Sequence, residues 1–153
     1  MSGASPVLQV RDLQMHFASE GGAVRAVDGV DFDLERGETL GLVGESGCGK
    51  STLGRCLLRL YAPTRGSIVL DTGDGPVDLA PLSEGALRPY RRHIQMVFQD
   101  PFASLNPRWT VEALIAEPLQ VHTKLDRSGR REKVLALMEA CGLAKAHLGR
   151  TPP

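Results

Sequence analysis

The sequence predicts an α/β fold, and three observations support that prediction. A glycine-rich segment, 44–52, reads G-E-S-G-C-G-K-S-T and lies between a short apolar run, 39–43, and a helical pattern, 51–60. Segments with alternating apolar residues precede it, which is typical of half-buried strands. Amphipathic patterns of helical period follow it towards the end of the chain. A strand, a glycine loop and a helix therefore form the centre of the predicted fold.

The glycine-rich segment has the spacing G-x-x-x-x-G-K-S. Glycines let backbone N–H groups converge on oxyanions without Cβ clashes, and the N-terminus of the following helix carries partial positive charge. Lys50 adds a mobile cation for the β- and γ-phosphates, and the Ser51 hydroxyl can complete a Mg²⁺ shell. A glycine-rich turn with a chance lysine is the alternative, but the flanking strand and helix favour a phosphate-binding loop, or P-loop. The predicted nucleotide-binding residues are Gly44, Glu45, Ser46, Gly47, Cys48, Gly49, Lys50, Ser51 and Thr52.

Charge and composition narrow the class of protein. The 153 residues include 18 basic and 18 acidic side chains, so net charge gives no argument for nucleic acid or an anionic membrane surface. The cysteines Cys48, Cys56 and Cys141 are odd in number and lack metal-ligand spacing, which suits a reducing cytosol. The start of the chain does not resemble a signal peptide, and no apolar run approaches the length of a membrane span. We expect a cytosolic protein that binds no nucleic acid.

Strands are predicted on both sides of the P-loop. Before it, the pattern predicts strands over 7–17, 23–27 and 30–34, the first with a bend or bulge at Arg11-Asp12, and the strand 39–43 enters the loop. Simple P-loop kinases begin almost directly with the loop strand, so this antiparallel leader is itself discriminating. After the first helix, strands are predicted over 67–70, 77–79 and 94–98.

Helices dominate the predicted end of the chain. Ser83 can cap a short helix that ends near Tyr90, and Thr110 can cap a helix disturbed by Pro118. A last helix is predicted over 129–141, followed by Gly142. We therefore divide the chain into a β leader with an incomplete nucleotide-binding core, 1–109, and the start of a helical subdomain, 110–153.

Gln99 is the second candidate site residue. The predicted strand 94–98 delivers its amide at the carboxyl end, where ligands of α/β sheets collect. A neutral amide can coordinate Mg²⁺ weakly and hold a water, and so sense a γ-phosphate. A strand end followed by an ordinary turn explains Gln99 equally well when it is taken alone.

Together, these segments resemble the ATP-binding subunits of ABC transporters, in the branch that imports peptides and nickel. The resemblance lies in 24–30, in 37–55, in Gln99 and in the following string D-P-F-A-S-L-N-P at 100–107. It covers nearly the whole chain from Leu8 onward. It implies an ABC-type P-loop ATPase fold, and ATP binding and hydrolysis that power peptide import.

The resemblance also implies roles for individual residues. Residues 44–52 would hold the phosphates of ATP, Ser51 and Gln99 would hold Mg²⁺, and Lys50 and Gln99 would take part in catalysis. Phe17 would stack on adenine, although a core phenylalanine on a strand is the competing interpretation.

The resemblance further implies partners and a location. The residues after Gln99 would contact membrane permease subunits of the importer, and a second ATP-binding subunit, the same or different, would complete a dimer. An extracytoplasmic peptide-binding protein would take part indirectly. The chain would lie in the cytoplasm on the inner face of the cell membrane.

Some of the expected family motifs do not occur in the sequence. It contains no L-S-G-G-Q signature, no apolar strand ending in Asp-Glu and no later switch histidine, and it ends at 149–153, close to where the signature is expected. We therefore expect the amino-terminal half of an ATPase subunit, truncated before the signature loop, with negligible hydrolysis of its own.

Two alternatives stay open. One is a small stand-alone P-loop phosphotransferase, in which Asp71 or Asp100 would act as base or metal ligand; the leader strands and the Gln99 string argue against it. The other is a non-catalytic nucleotide-binding module.

Overall fold

The computed structural model describes residues 6–99 and 104–152. The chain divides into two compact units, Met1–Gln95 and Met96–Pro153. The first unit contains a β-sheet with the helix that follows the P-loop, and the second unit is helical. The α/β class predicted from the sequence is confirmed.

The sheet of the first unit has four strands, which lie in the order β2-β1-β3-β4 with every neighbouring pair antiparallel. The strands are β1 (Leu8–Ser19), β2 (Gly22–Leu34), β3 (Arg65–Asp71) and β4 (Pro76–Asp78). The segments predicted as separate strands at 23–27 and 30–34 form one continuous strand, β2. The antiparallel leader is therefore a long β1–β2 hairpin.

The predicted bend in β1 is confirmed. The register between β1 and β2 shifts between Val10 and Leu13, and Asp12 has a left-handed backbone with φ of 44°. The backbone N–H of Asp12 donates to the Asp31 carboxylate at 3.0 Å instead of to a ladder partner. A local side-chain acceptor thus satisfies the amide that the bulge removes from the ladder.

Helix α1 (Lys50–Leu57) packs its apolar side on the sheet. Its Leu53 and Cys56 are buried against residues of β1, β2 and β3, and the turn after β4 closes the cluster. The core consists of Val10, Leu13, Val27, Leu53, Cys56, Ile68, Leu70, Leu79 and Leu87. This packing fixes the helix, and hence the P-loop at its N-terminus, to the sheet.

A short helix, α2 (Glu84–Leu87), follows β4. Its N-cap is Ser83, whose hydroxyl accepts from the backbone N–H of Ala86 at 3.5 Å, as predicted. A 3₁₀ turn, Arg91–His93, comes next.

The second unit contains α3 (Val111–His122) and α4 (Arg127–Ala140), followed by a 3₁₀ turn at Lys145–His147. The Thr110 hydroxyl caps α3 by accepting from Ala113 N–H at 3.2 Å, as predicted. The cap of α4 is Asp126, which accepts from Gly129 N–H at 2.8 Å and starts the helix earlier than its apolar pattern predicts. In α4, Val134 and Met138 are buried.

Two predicted strands are not formed. Residues 39–43 and 94–98 have no strand structure, and within the described ranges neither pairs with a ladder partner. Most of their apolar side chains are exposed, with Val43 89% and Val97 94% exposed, whereas Ile94 is partly buried against the core. An apolar run becomes a buried strand only where neighbouring strands supply hydrogen bonds and cover its faces. In the described parts of the chain, all strand pairs are antiparallel and lie elsewhere.

None of the helices described, over 6–99 and 104–152, combines the length and the apolar character that crossing a membrane requires.

Candidate nucleotide-binding site

The P-loop leads directly into α1. Gly49 is the N-cap residue, with φ of 96°, and its carbonyl accepts from Leu53 N–H at 2.8 Å to close the first helical turn. Gly49 has no side chain to cap the helix, and the first turn carries no acidic residue. The first N–H groups of a helix have no partner within it, so they are available to an anion at this end.

The P-loop fits closely against β2. A Cβ atom on Gly49 would overlap the backbone oxygen of Ala26, and the positive φ already disfavours any other residue. A Cβ atom on Gly44 would lie 2.7 Å from the Cys48 sulfur. The Ala26 backbone of β2 and the Cys48 side chain of the loop therefore occupy the space that larger residues would need.

Lys50 extends back over the loop that precedes it. Its Nζ donates to the carbonyl oxygens of Gly44 at 2.7 Å and Glu45 at 2.6 Å, and lies 3.5 Å from the Cys48 sulfur. Neutral carbonyls leave the positive charge of the ammonium uncompensated. The cation and the helix N-terminus thus present positive charge to the same loop.

A pocket of about 360 Å³ opens beside the loop. Its lining combines the P-loop end of α1 with residues of β2, and includes Arg25, Ala26, Val27, Asp28, Val30, Leu42, Val43, Cys48, Gly49, Lys50 and Leu53. Both Arg25 and Lys50 contribute positive charge to this pocket. Its volume is in the range of small-ligand sites.

Asp28 is the one carboxylate in this lining, and neighbouring side chains compensate its negative charge. Its Oδ1 lies 3.2 Å from Nε2 of His16 on β1, and its Oδ2 accepts from Arg25 Nη1 at 3.3 Å. These contacts hold the pKa of Asp28 below its ordinary value, chiefly through the His16 hydrogen bond and then through Arg25. The pocket therefore remains compatible with an anionic ligand.

The other predicted P-loop residues lie along the same segment. Glu45, Ser46 and Gly47 are exposed, Ser51 is exposed in the first turn of α1, and Thr52 is half-buried. The predicted phosphate and metal roles of these residues stay predictions, although the loop that carries them is assembled.

Phe17 lies near the end of β1, opposite Val24 of β2. Its half-buried ring makes an edge-to-face contact with Tyr61, with centroids 5.6 Å apart and planes at 86°. The neighbouring pair in the ladder is His16 and Arg25, and Arg25 lines the pocket. Phe17 is thus at the same end of the hairpin as the pocket, and adenine stacking on it stays a prediction.

Gln99 belongs to the second unit and is exposed. The strand predicted to deliver it is not formed, so no ladder fixes the position of its amide. The following residues 100–103, including the alternative base Asp100, lie outside the described residues. The Mg²⁺ and catalytic roles of Gln99 stay predictions.

Asp71, the other alternative base, closes a turn. Its carboxylate accepts from the backbone N–H of Gly73 at 2.8 Å, at the end of β3. The Asp71 carboxylate therefore stabilises the turn that follows β3.

A family comparison decides between the interpretations. The family model described as "ABC transporter" matches residues 27–152. This chain belongs to the ABC transporter family. The family match excludes the stand-alone phosphotransferase, and it agrees with the resemblance carried by the P-loop and by the segment around Gln99.

Individual relatives agree with the family assignment. The chain is 48% identical over 154 residues to the oligopeptide transport ATP-binding protein AppF of Bacillus subtilis (strain 168), covering 95% of this chain and 46% of that protein. It is 44% identical to the dipeptide transport ATP-binding protein DppF of Escherichia coli (strain K12), covering 96% of this chain and 45% of that one. The chain thus spans about half the length of the curated relatives it matches.

Solved structures confirm the ABC fold. The ATP-binding cassette MJ0796, solved as a dimer in a post-hydrolysis state bound to ADP and Pi, superposes with a TM-score of 0.77 at 23% identity, covering 95% of this chain and 61% of that one. The cbiO1 protein from Clostridium perfringens, part of the ABC transporter complex cbiONQ, gives 0.71 at 26% identity, covering 97% and 55%.

Sequence reasoning missed four residues at this end of the hairpin. Arg25 and Asp28 line the pocket, His16 hydrogen-bonds to Asp28, and Tyr61 contacts Phe17. The β1–β2 register brings the first three together, and it could have been anticipated by pairing the two strands about the turn at 20–21. The contact of Tyr61 with Phe17 could not be anticipated from the sequence, because it depends on how α1 packs against the sheet.

Proposed function

We propose that this chain binds MgATP through its P-loop and, within a complete subunit, powers peptide import by an ABC transporter. The observation that carries the proposal is the position of Lys50. Its ammonium lies over the Gly44 and Glu45 carbonyls at the start of the loop, and α1 presents its free N–H groups where the loop ends at Gly49. A triphosphate replacing those neutral acceptors would gain charge-assisted hydrogen bonds.

The residues present fit a magnesium-bound triphosphate. Gly49 has no side chain and a φ of 96°, so no Cβ atom at this position screens the main-chain N–H groups at the start of α1. The Ser51 hydroxyl stands exposed in the first turn of α1 and is a hard oxygen ligand suited to Mg²⁺. Gln99 would complete the shell as a weak amide ligand. Bound Mg²⁺ would neutralise part of the phosphate charge.

Hydrolysis is assigned to the complete subunit. The 153 residues include no L-S-G-G-Q segment and no apolar strand ending in Asp-Glu. Without a carboxylate to orient the attacking water, phosphoryl transfer loses a main catalytic contribution. We therefore expect this chain alone to bind ATP and to hydrolyse it negligibly.

Peptides are the proposed cargo class. The relatives that support this are named as oligopeptide and dipeptide transport ATP-binding proteins. The proposed partners are membrane permease subunits, a second ATP-binding subunit and, indirectly, an extracytoplasmic peptide-binding protein. The chain would then act in the cytoplasm, at the inner face of the cell membrane.

Titration calorimetry with MgATP tests the binding proposal. Lys50→Ala removes the cation and should weaken affinity at least about tenfold, since charged hydrogen bonds contribute strongly. Lys145→Ala, at an exposed lysine of the second unit, is the matched control and should bind like the wild type. Equal affinity of Lys50→Ala and wild type would overturn the proposal. Circular dichroism should show that both variants keep the fold.

A further inference from the structure

Tyr61 connects the P-loop helix to the aromatic end of β1. It follows the last turn of α1, and its backbone N–H donates to the Arg55 carbonyl at 3.3 Å. Its half-buried side chain packs against the core of the first unit. The position of the Tyr61 ring is therefore set by the same helix that carries the phosphate-binding N–H groups.

Arg55 fixes the Tyr61 ring further. Its Nη1 donates to the Tyr61 hydroxyl at 3.2 Å, and its guanidinium carbon lies 5.7 Å from the ring centroid. A cation near an aromatic ring is attracted by the ring quadrupole. Tyr61 is thus held by the core, by its own backbone and by a charged neighbour.

The fixed Tyr61 ring in turn orients Phe17. Their planes meet at 86°, so the contact uses the edge of one ring and one face of the other. Each ring therefore keeps at least one face that the other does not cover. Phe17 is only half-buried, so part of its ring is accessible from solvent. An aromatic face of this kind suits a stacked base.

Phe17 lies close to the pocket along the β1–β2 ladder. Arg25 lines the same pocket as Lys50 and pairs with His16, and the next ladder pair towards the turn is Phe17 and Val24. The backbone of Phe17 is therefore one ladder pair beyond the pocket. Under the proposed function the phosphates of a nucleotide lie at Lys50, so its base is the part that extends beyond the pocket.

We propose that Tyr61 is a positioning residue for the nucleobase, which holds the Phe17 ring in the orientation that stacks on a purine. The proposal rests on the proposed function, because it places the base of a nucleotide whose phosphates occupy the P-loop. Tyr61 acts through Phe17 and does not touch the reacting phosphates. Its loss should weaken binding of ligands that carry a base and spare ligands that do not.

The test compares MgATP with magnesium tripolyphosphate, which has the phosphates without a base. Dissociation constants are measured by calorimetry for the 153-residue chain and its variants. Tyr61→Leu keeps apolar bulk against the core but removes the ring, and it should weaken ATP binding about three- to tenfold with tripolyphosphate affinity unchanged. Tyr61→Phe keeps the ring and should restore most of the ATP affinity. Phe17→Leu should reproduce the Tyr61→Leu pattern.

The controls separate the possible failures. Tyr90→Leu alters another half-buried tyrosine that packs against the same core, and should leave the ratio of the two affinities unchanged. If Tyr61→Leu lost affinity for both ligands equally, Tyr61 would have only a structural role, and the proposal would be overturned. Wild-type ATP affinity in Tyr61→Leu or Phe17→Leu would overturn it as well. A wild-type chain that binds neither ligand would refute the P-loop function itself, and this inference with it. If only Lys50→Ala lost affinity for both MgATP and tripolyphosphate, that result would be consistent with the P-loop function and would not contradict the role of Tyr61.

Discussion

The side chain of Arg59 donates from Nε to the carbonyl oxygen of Leu79 at 2.9 Å, within the core of the first unit. Nη2 of the same guanidinium donates to the Leu82 carbonyl at 3.0 Å. From another side, Arg91 donates to the Leu58 carbonyl, beside the end of α1, at 2.6 Å. These bonds anchor the far end of the P-loop helix to the segment after β4, because each arginine joins two parts of the chain.

Replacement of Arg59 should change the stability of the protein through two separable effects. Arg59→Ala leaves the Leu79 and Leu82 carbonyls without their donor, so the free energy of unfolding should fall by about 2–4 kcal/mol. Arg59 also has a left-handed backbone, with φ of 53°, which glycine adopts freely. Arg59→Gly should therefore be more stable than Arg59→Ala by about 1 kcal/mol. Urea unfolding measures both, and a less stable glycine variant would contradict the backbone argument.

The close approach of Gly49 to Ala26 makes a second prediction. Gly47→Ala and Gly49→Ala both place alanine at a positive φ, which costs about 1–2 kcal/mol. Only Gly49→Ala also drives a methyl group into the Ala26 backbone, whereas the space around Gly47 is open. Gly49→Ala should lose about 1–3 kcal/mol more than Gly47→Ala, as overpacking does. Thermal or urea unfolding checks the difference, and equal stability of the two variants would refute the close packing.

The P-loop and its neighbours were predictable because their signals are local. Glycine spacing, the Ser83 and Thr110 caps and the bulge at Asp12 each follow from a few adjacent residues, and the structure confirms the caps and the bulge. The ends of helices were less predictable. Asp126 starts α4 before the apolar pattern begins, since a cap acts through one side chain and not through periodicity.

The two missing strands show what a local pattern leaves out. Leu40 is 51% exposed and Phe98 50% exposed, although both lie in runs whose composition is typical of buried parallel strands. Such a strand needs partners from distant sequence, and the described ranges offer none to either run. The runs 39–43 and 94–98 therefore have the composition of buried strands, but no strand in the described ranges pairs with them.

Gln99→Ala tests the proposed sensing role separately from binding. The side chain is exposed, and an amide is a weak magnesium ligand, so ATP affinity of the chain should stay mostly intact. In a complete subunit assembled with its permease, the same substitution should reduce the stimulation of ATPase activity by transport. Calorimetry and coupled phosphate-release assays measure the two effects. A tenfold loss of ATP affinity in Gln99→Ala would instead make Gln99 a main binding residue.

Cys56 should make stability depend on alkaline pH. Its side chain is fully buried in α1, and burial raises the pKa of the thiol above its ordinary 9.0, although the charge of Arg59 partly opposes the shift. Above that ordinary value the unfolded chain loses the proton while the folded chain keeps it. The contribution of this group is therefore fully present below pH 9.0 and is lost as pH rises through the folded pKa.

Cys56→Ala removes this dependence. At neutral pH the variant should be less stable by about 1–2 kcal/mol because it leaves a small cavity in the core. Between neutral and alkaline pH its free energy of unfolding should fall less steeply than that of the wild type. Cys141→Ala, at an exposed thiol, is the matched control and should keep the wild-type slope. Urea unfolding across this pH range gives the three slopes, and parallel curves for Cys56→Ala and wild type would show that the buried thiol titrates normally.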